Sequence, residues 1–211
     1  MASLSSRRAK DLVDNRGNRM SNDPIARFKE LLAQAGQLGV DPHNAGALAT
    51  AGNDLQPMAR MVLLKDVDEA GFVFYTNLQS PKARQLTDNP RASLCFWWAQ
   101  LKRQVRIEGR IELVSDREAD EYFASRPRGS QIGAWASQQS SELASREELI
   151  TAVALLTAKF QNQPLPRPPY WSGYRLVPDR IEFWKDQPDR LHERELYTRE
   201  GGGWKITLLA P

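Results

Sequence analysis

The sequence is short of the residues that usually announce a staple or a metal. Among 211 residues it has one cysteine, Cys95, and two histidines, His43 and His192. One cysteine excludes an internal disulfide, and two histidines leave no Cys/His cluster with zinc spacing. A chain of this length buries roughly 70% of the surface it exposes when unfolded, so it needs neither device. No apolar run approaches the ~18–20 residues of a membrane span. The charged start (Arg7, Arg8, Lys10, Asp11) has no apolar core behind it and does not read as a secretory signal. Neither a Rossmann G-x-G-x-x-G nor a P-loop occurs, so both common nucleotide cradles are missing. A large excess of one charge is also absent: the formal net charge is +3 despite a pI near 9.1. The basic residues alternate with acids instead of forming a stripe with aromatics, which argues against nucleic acid and suits small phosphorylated ligands. These absences together lead us to expect a soluble protein of a reducing, cytoplasmic compartment.

What is present has a clear order. Residues 1–22 are polar and aperiodic, and are expected to form a mobile arm ahead of a single domain over 23–211. Asp23-Pro24 reads as an N-cap and first helical residue, followed by Ile25, Phe28, Leu31, Leu32 and Ala35 at helical spacing. Strands are predicted at 45–51, 58–65, 72–76, 91–98 and 102–114, separated by Gly, Asn and Asp clusters. In the last of these Val105, Ile107, Ile111 and Leu113 should share one face, and Gln104, Arg106, Glu108 and Arg110 the other. Ser80-Pro81 opens a short helix that stops before Asn89-Pro90. Capping boxes at Ser115 and Ser145 begin two more helices, the first ending at Arg126-Pro127. Strands return at 173–178, 180–185, 191–198 and 204–209, with Gly201-Gly202-Gly203 as the last turn. Many short antiparallel strands with a few inserted helices predict an α+β barrel.

Four groups of residues could carry chemistry. Arg190, His192 and Arg194 alternate and should line one strand face; this suits either an anion or electron-rich ring above them, or a solvated edge paired with Glu193 and Glu195. Tyr122 and Arg126 lie four apart on one helix face, with Pro127 breaking the helix and Ser130 able to cap the next turn. That makes either a phosphate site or an ordinary helix end. Arg60 and Lys65 bracket an apolar strand and, an odd number apart, should serve opposite faces. Lys82 sits in the first turn of the Ser80-Pro81 helix, which makes either a phosphate site favoured by dipole and charge or a plain capped helix. Cys95 reads as a packed core residue, and core is also the default for Trp184.

Read together, these segments resemble the pyridoxamine 5′-phosphate oxidase family. The strings that carry the resemblance are RMVLLK at 60–65, GFVFYTN at 71–77, SRPRGSQIGAW at 125–135, QSS at 139–141, IEFW at 181–184, RLHER at 190–194 and the terminal WKITLLAP. They follow the family's order over roughly residues 24–211.

The resemblance implies an FMN-binding split β-barrel, antiparallel with flanking helices, acting as a homodimer with FMN at the subunit interface. It implies FMN contacts from Arg60, Met61, Val62, Leu63, Leu64, Lys65, Tyr75, Thr76, Lys82, Gln104, Gln139, Ser140, Trp184 and Arg194. It implies that Lys65, Tyr122, Arg126 and Ser130 take the substrate phosphate, and that Arg190, Leu191 and His192 meet the substrate, with Arg190 and His192 at the catalytic centre. The expected reaction oxidises pyridoxamine or pyridoxine 5′-phosphate with O2 to pyridoxal 5′-phosphate, with no metal. Two departures stand out. Pro81 replaces a residue that is basic in many members, and the arm lacks an Arg-x-x-Tyr pair, with Arg7 and Arg8 the only substitutes. The alternatives are a related flavin oxidase of the phenazine-biosynthesis type, or a non-catalytic flavin or pyridoxal phosphate binder on the same barrel. The joint presence of Tyr122, Arg126 and Ser130 favours the phosphorylated substrate over the former. Arg190 and His192 argue against the latter.

Overall fold

The computed structural model describes residues 23–211; the arm expected over 1–22, with Arg7 and Arg8, lies outside the described residues. Helix α1 (Pro24–Gln37) begins as its sequence dictates. Asp23 accepts a hydrogen bond from the Ile25 N–H at 2.9 Å, and Pro24 occupies a first-turn position where its missing N–H costs nothing. Strands β1 (Ala45–Ala51), β2 (Pro57–Asp68), β3 (Gly71–Asn77), β4 (Arg91–Trp98), β5 (Arg103–Leu113) and β6 (Trp171–Lys185) follow in the order β3-β2-β1-β4-β5-β6. A further antiparallel pairing of β3 with β6 closes them into a six-stranded barrel. Closure leaves none of these six as a free edge. Strands β7 (Glu193–Glu200) and β8 (Gly203–Leu208) continue the sheet outward from β6. Helices α2 (Pro81–Asp88), α3 (Asp116–Ser125), α4 (Arg128–Ala136) and α5 (Arg146–Lys159) are inserted between strands.

The barrel interior holds Leu48, Phe72, Phe74, Leu94, Phe96, Val105, Ile107 and Ile181, with Phe28 of α1 plugging one end edge-on to Phe72 and Phe96. A second apolar cluster of Phe123, Ile132, Leu165 and Trp171 lies where α3 and α4 meet the start of β6. The barrel wall approaches β6 most closely at two glycines. A Cβ at Gly109 would stand 2.0 Å from the Val177 carbonyl oxygen, and one at Gly71 (φ +148°) would stand 2.2 Å from that of Leu176. Among the described residues no helix is long and apolar enough to cross a membrane.

Several expectations change. The two strands predicted at 173–178 and 180–185 are one strand, β6, because Pro178 sits at a bulge: Glu108 pairs with Arg180 and Gly109 with Pro178, leaving Asp179 unpaired. Leu113 is 60% exposed, and its neighbour Val114 packs instead with Val73 and Ala119 in a small cluster separate from the barrel core. Cys95 is half-buried on the outer wall between its interior neighbours Leu94 and Phe96, and burial raises its thiol pKa. Trp184 also faces outward. The strand predicted from 191 begins only at Glu193; residues 188–190 form a 3-10 turn in which Asp189 (φ 57°) and Arg190 (φ 61°) are left-handed. Arg190 therefore does not share a strand face with His192 and Arg194. Ser130 does not cap a turn, because α4 starts at Arg128 with Pro127 as its N-cap and places Ser130 inside its first turn.

Candidate functional site

A cavity of about 600 Å³ opens outside the barrel beside β2, β3, α3 and the start of α4. Its volume falls within the range of small-molecule and cofactor sites. Two corners of it carry cations.

The first corner is at the start of α2. Ser80 caps the helix through a 3.4 Å hydrogen bond from the Ala83 N–H, and Lys82 follows in its first turn. Lys82 Nζ donates to Gln139 Oε1 at 2.7 Å, Thr76 Oγ1 at 3.1 Å and Ser80 Oγ at 3.2 Å, which brings Gln139 to Thr76 and Lys82. Arg60 on β2 does not line the cavity; it lies near enough to Lys82 to repel it and donates to Thr50 Oγ1 at 2.5 Å and the Leu48 carbonyl at 3.2 Å. Neither cation forms an ion pair with a carboxylate among the described residues. Burial first, then repulsion from Arg60, lowers the Lys82 pKa to about 8. Two unneutralised cations beside a helix N-terminus make an anion corner.

The second corner is built by Pro127. A proline forces the residue before it out of the helical region, and Arg126 ends α3 at φ −71°, ψ 149°. Its guanidinium turns into the cavity beside Tyr122, Ser130 and Lys65. Lys65 is aimed there by a bulge in β2, where the register against β3 skips from Leu64 to Asp66. Arg126 Nη1 is buried and has no hydrogen-bond partner among the described residues, and burial lowers the Arg126 pKa. An orphaned buried cation costs free energy unless an anion joins it.

Between the corners lie three near-parallel rings. The Tyr75 centroid is 4.0 Å from that of Tyr122 and 5.2 Å from that of Trp171, with interplanar angles of 20° and 10°. Tyr75 gains this place by lying across Gly173, where a Cβ would come within 2.7 Å of its ring. Burial, then nearby Glu118, pushes the Tyr75 phenol up to about 12, so it stays protonated at neutral pH. Met61, Val62 and Leu63 complete the wall on the β2 side. Leu64 does not: its side chain is in the barrel core, and Asn44 engages both its N–H and its C=O at 2.8 Å. Ser140 is exposed and left-handed beside Gln139.

The remaining expected residues gather elsewhere. Strand register places Trp97 opposite Gln104, Gln104 opposite Trp184, and Trp184 opposite Arg194, so the four form one row across β4 to β7 on the outer wall. His192 packs on Trp184 at 4.5 Å between ring centroids and accepts at Nδ1 from the Gln187 N–H at 3.2 Å, with Asp186 Oδ1 3.3 Å away. Arg190 and Leu191 are exposed just ahead of His192. Glu182, 3% exposed, accepts from Arg194 Nε at 2.8 Å and pairs with Arg106 Nη2 at 2.9 Å without hydrogen-bond alignment. None of this row lines the cavity of its own chain.

Sequence reasoning missed Trp171, Ser125 and Pro127 in the cavity wall, and Trp97 in the row. Trp97 was hidden because the run Leu94 to Trp98 is apolar throughout, although period-2 alternation already puts Trp97 opposite in facing to Phe96 and Trp98. The signal for Trp171 was Gly173, a glycine inside a strand, which marks a close approach.

The site's residues suit a flavin phosphate at the Lys82 corner and a second anion at the Arg126 corner. Residues 32–171 match the sequence profile of the pyridoxamine 5′-phosphate oxidase family, and residues 171–211 match that of the pyridoxine 5′-phosphate oxidase C-terminal dimerisation region. A pyridoxine/pyridoxamine 5′-phosphate oxidase of Myxococcus xanthus is 58% identical over 190 residues, covering 90% of this chain and 92% of the relative. One of Burkholderia lata is 50% identical over 195 residues, covering 91% of each. Among solved structures, PhzG of Burkholderia lata in complex with tetrahydrophenazine-1-carboxylic acid superposes with a TM-score of 0.88 at 36% identity, covering 95% of this chain and 98% of that one. An FMN-binding protein of Nostoc punctiforme shares the fold at a TM-score of 0.72 and 17% identity, covering 91% of this chain and all of that one. This chain therefore belongs to the pyridoxamine 5′-phosphate oxidase family of flavoprotein oxidoreductases, with FMN as cofactor and a C-terminal dimerisation region.

Proposed function

We propose that this protein oxidises pyridoxamine 5′-phosphate or pyridoxine 5′-phosphate with O2, giving pyridoxal 5′-phosphate and H2O2, and ammonia from the amine after water hydrolyses the imine. The observation that carries the reading is the half-buried Arg126, whose buried Nη1 has no hydrogen-bond partner among the described residues, set beside Lys65, Tyr122 and Ser130 in a cavity whose other corner suits the flavin phosphate. When bound, FMN would supply the two-electron redox chemistry between the substrate and O2. The chain's own residues bind and orient. Arg60 and Lys82 hold the flavin phosphate, while Lys65, Tyr122, Arg126 and Ser130 hold the substrate phosphate. Gln104, Trp184, Arg194, Arg190 and His192 of the other protomer complete the site across the dimer interface. None of these residues lines the cavity of its own chain. Such a row serves a neighbour's site better than its own.

A phenazine-type substrate is the second reading, supported by the likeness to PhzG. A carboxylate could also engage Arg126. Yet the Burkholderia lata relative named for pyridoxine/pyridoxamine 5′-phosphate is 50% identical and PhzG from that organism 36%, which favours the phosphorylated pyridine. Steady-state kinetics of Arg126→Ala test the choice. KM for pyridoxamine 5′-phosphate should rise by about ten- to a hundred-fold, the size of a lost charge-assisted contact, with FMN content kept. KM for unphosphorylated pyridoxamine should move little. Loss of FMN from Arg126→Ala would mean that the residue serves the flavin instead.

A further inference from the structure

Trp171 lies under both halves of the cavity. Its indole is 6% exposed, stacks with Tyr75 at 5.2 Å and lies nearly parallel to Tyr122 (11°) with centroids 6.1 Å apart. The Arg126 guanidinium carbon sits 4.8 Å over its ring and 5.6 Å from that of Phe123. Arg126 has no carboxylate partner among the described residues, so ring faces are what hold this cation in place. A guanidinium over an indole keeps its charge and its N–H groups for an incoming anion, whereas a carboxylate partner would neutralise it. The Trp171 backbone is braced. The Trp171 carbonyl accepts from Arg167 Nη1 at 2.8 Å, and Arg167 is gripped by Asp116 at 2.7 Å and Asp120 at 2.5 Å on α3. The helix that carries Tyr122 and ends at Arg126 is thus tied to the residue that supports both.

We propose that Trp171 is a positioning residue for the substrate's phosphate. It presents Arg126 in an unneutralised, preset orientation and holds Tyr122 against Tyr75, so the anion corner and the flavin side of the cavity share one rigid base. The proposal rests on the reading that Tyr122 and Arg126 receive the substrate phosphate. The competing role is purely structural, since Trp171 also belongs to the apolar cluster with Phe123, Ile132 and Leu165.

Kinetics of FMN-loaded Trp171→Leu, Trp171→Phe, Arg126→Ala and the Trp171→Leu/Arg126→Ala double variant separate the two. In Trp171→Leu, the KM for pyridoxamine 5′-phosphate should rise about ten-fold relative to that for unphosphorylated pyridoxamine, the size of a desolvated cation–π contact. Trp171→Phe, which keeps a ring face, should recover most of this ratio. The double variant should exceed Arg126→Ala by clearly less than the factor Trp171→Leu causes alone, because the indole acts mainly through the guanidinium. Equal KM changes for both substrates in the leucine and phenylalanine variants, or additive effects in the double variant, would overturn the proposal. If Trp171→Leu does not fold, the phenylalanine variant and its combination with Arg126→Ala separate the two roles by the same criteria. An Arg126→Ala enzyme that treats both substrates like the wild type would remove the phosphate reading itself, and the proposal with it, whatever Trp171 does.

Discussion

Lys82 is a lysine set beside an arginine with no acid near it, and its depressed pKa follows from that. With the Lys82 pKa lowered from 10.5 to about 8, the folded chain without flavin binds this proton more weakly than the unfolded chain does. Stability of that form should therefore rise as pH climbs from about 8 toward 10.5. A phosphate dianion beside the amine raises its pKa again, so the charge-dependent part of FMN affinity is complete below pH 8 and fades above it. Titrations of FMN binding from pH 7 to 10 should show this decline, and riboflavin, lacking the phosphate, should show little of it. A Lys82→Met variant that keeps the wild-type slope would move the flavin phosphate elsewhere. Arg190 belongs to the same scale. A left-handed arginine directly after a left-handed aspartate costs about 1–2 kcal/mol per residue, and such strain gathers at functional sites. Arg190→Ala should lower kcat/KM on the order of 10²-fold while the protein stays yellow and dimeric. Wild-type kinetics in that variant would take the turn out of the active site.

At the scale of elements, the strands and helices were legible where a local rule had no competitor. The caps at Asp23, Ser80, Ser115 and Ser145 start α1, α2, α3 and α5 as their side chains require. Strand β4 occupies 91–98 as predicted because turns bound it on both sides. What was not legible depends on partners distant in sequence. The left-handed pair before His192 overrode the alternation of RLHER, and α4 has no capping side chain to announce it. The bulge that joins the strands predicted at 173–178 and 180–185 into β6 exists because β5 passes Pro178 at Gly109. The cavity residues of β2 and α3 were readable through the family resemblance, yet the aromatic base beneath them needs Gly173, whose role is a three-dimensional one. Gly173→Ala should push the Tyr75 ring off the strand and weaken binding of both FMN and pyridoxamine 5′-phosphate. Overpacking of this kind costs about 1–3 kcal/mol, which thermal melting would register alongside the binding loss. An alanine variant with wild-type melting and binding would show that the ring can shift without consequence.

For the whole molecule, the decisive feature is that the cavity and the row Trp97–Gln104–Trp184–Arg194 lie on separate parts of one chain. If each flavin site takes its cavity from one protomer and its row from the other, a defect in either half is confined to the sites that use it. Two inactive proteins can then repair each other. Mixing Arg126→Ala chains with Arg190→Ala chains, unfolding and refolding them together, should give heterodimers in which one site carries both lesions and the other neither. With random pairing in a two-fold dimer, half the molecules are mixed and about a quarter of all sites are intact. Activity near that fraction of wild type, appearing only after chains exchange, is the expected result, and its absence would place both halves of each site within a single chain. Arg126 and Arg190 would then behave as two genes in a complementation test do, although one gene encodes them.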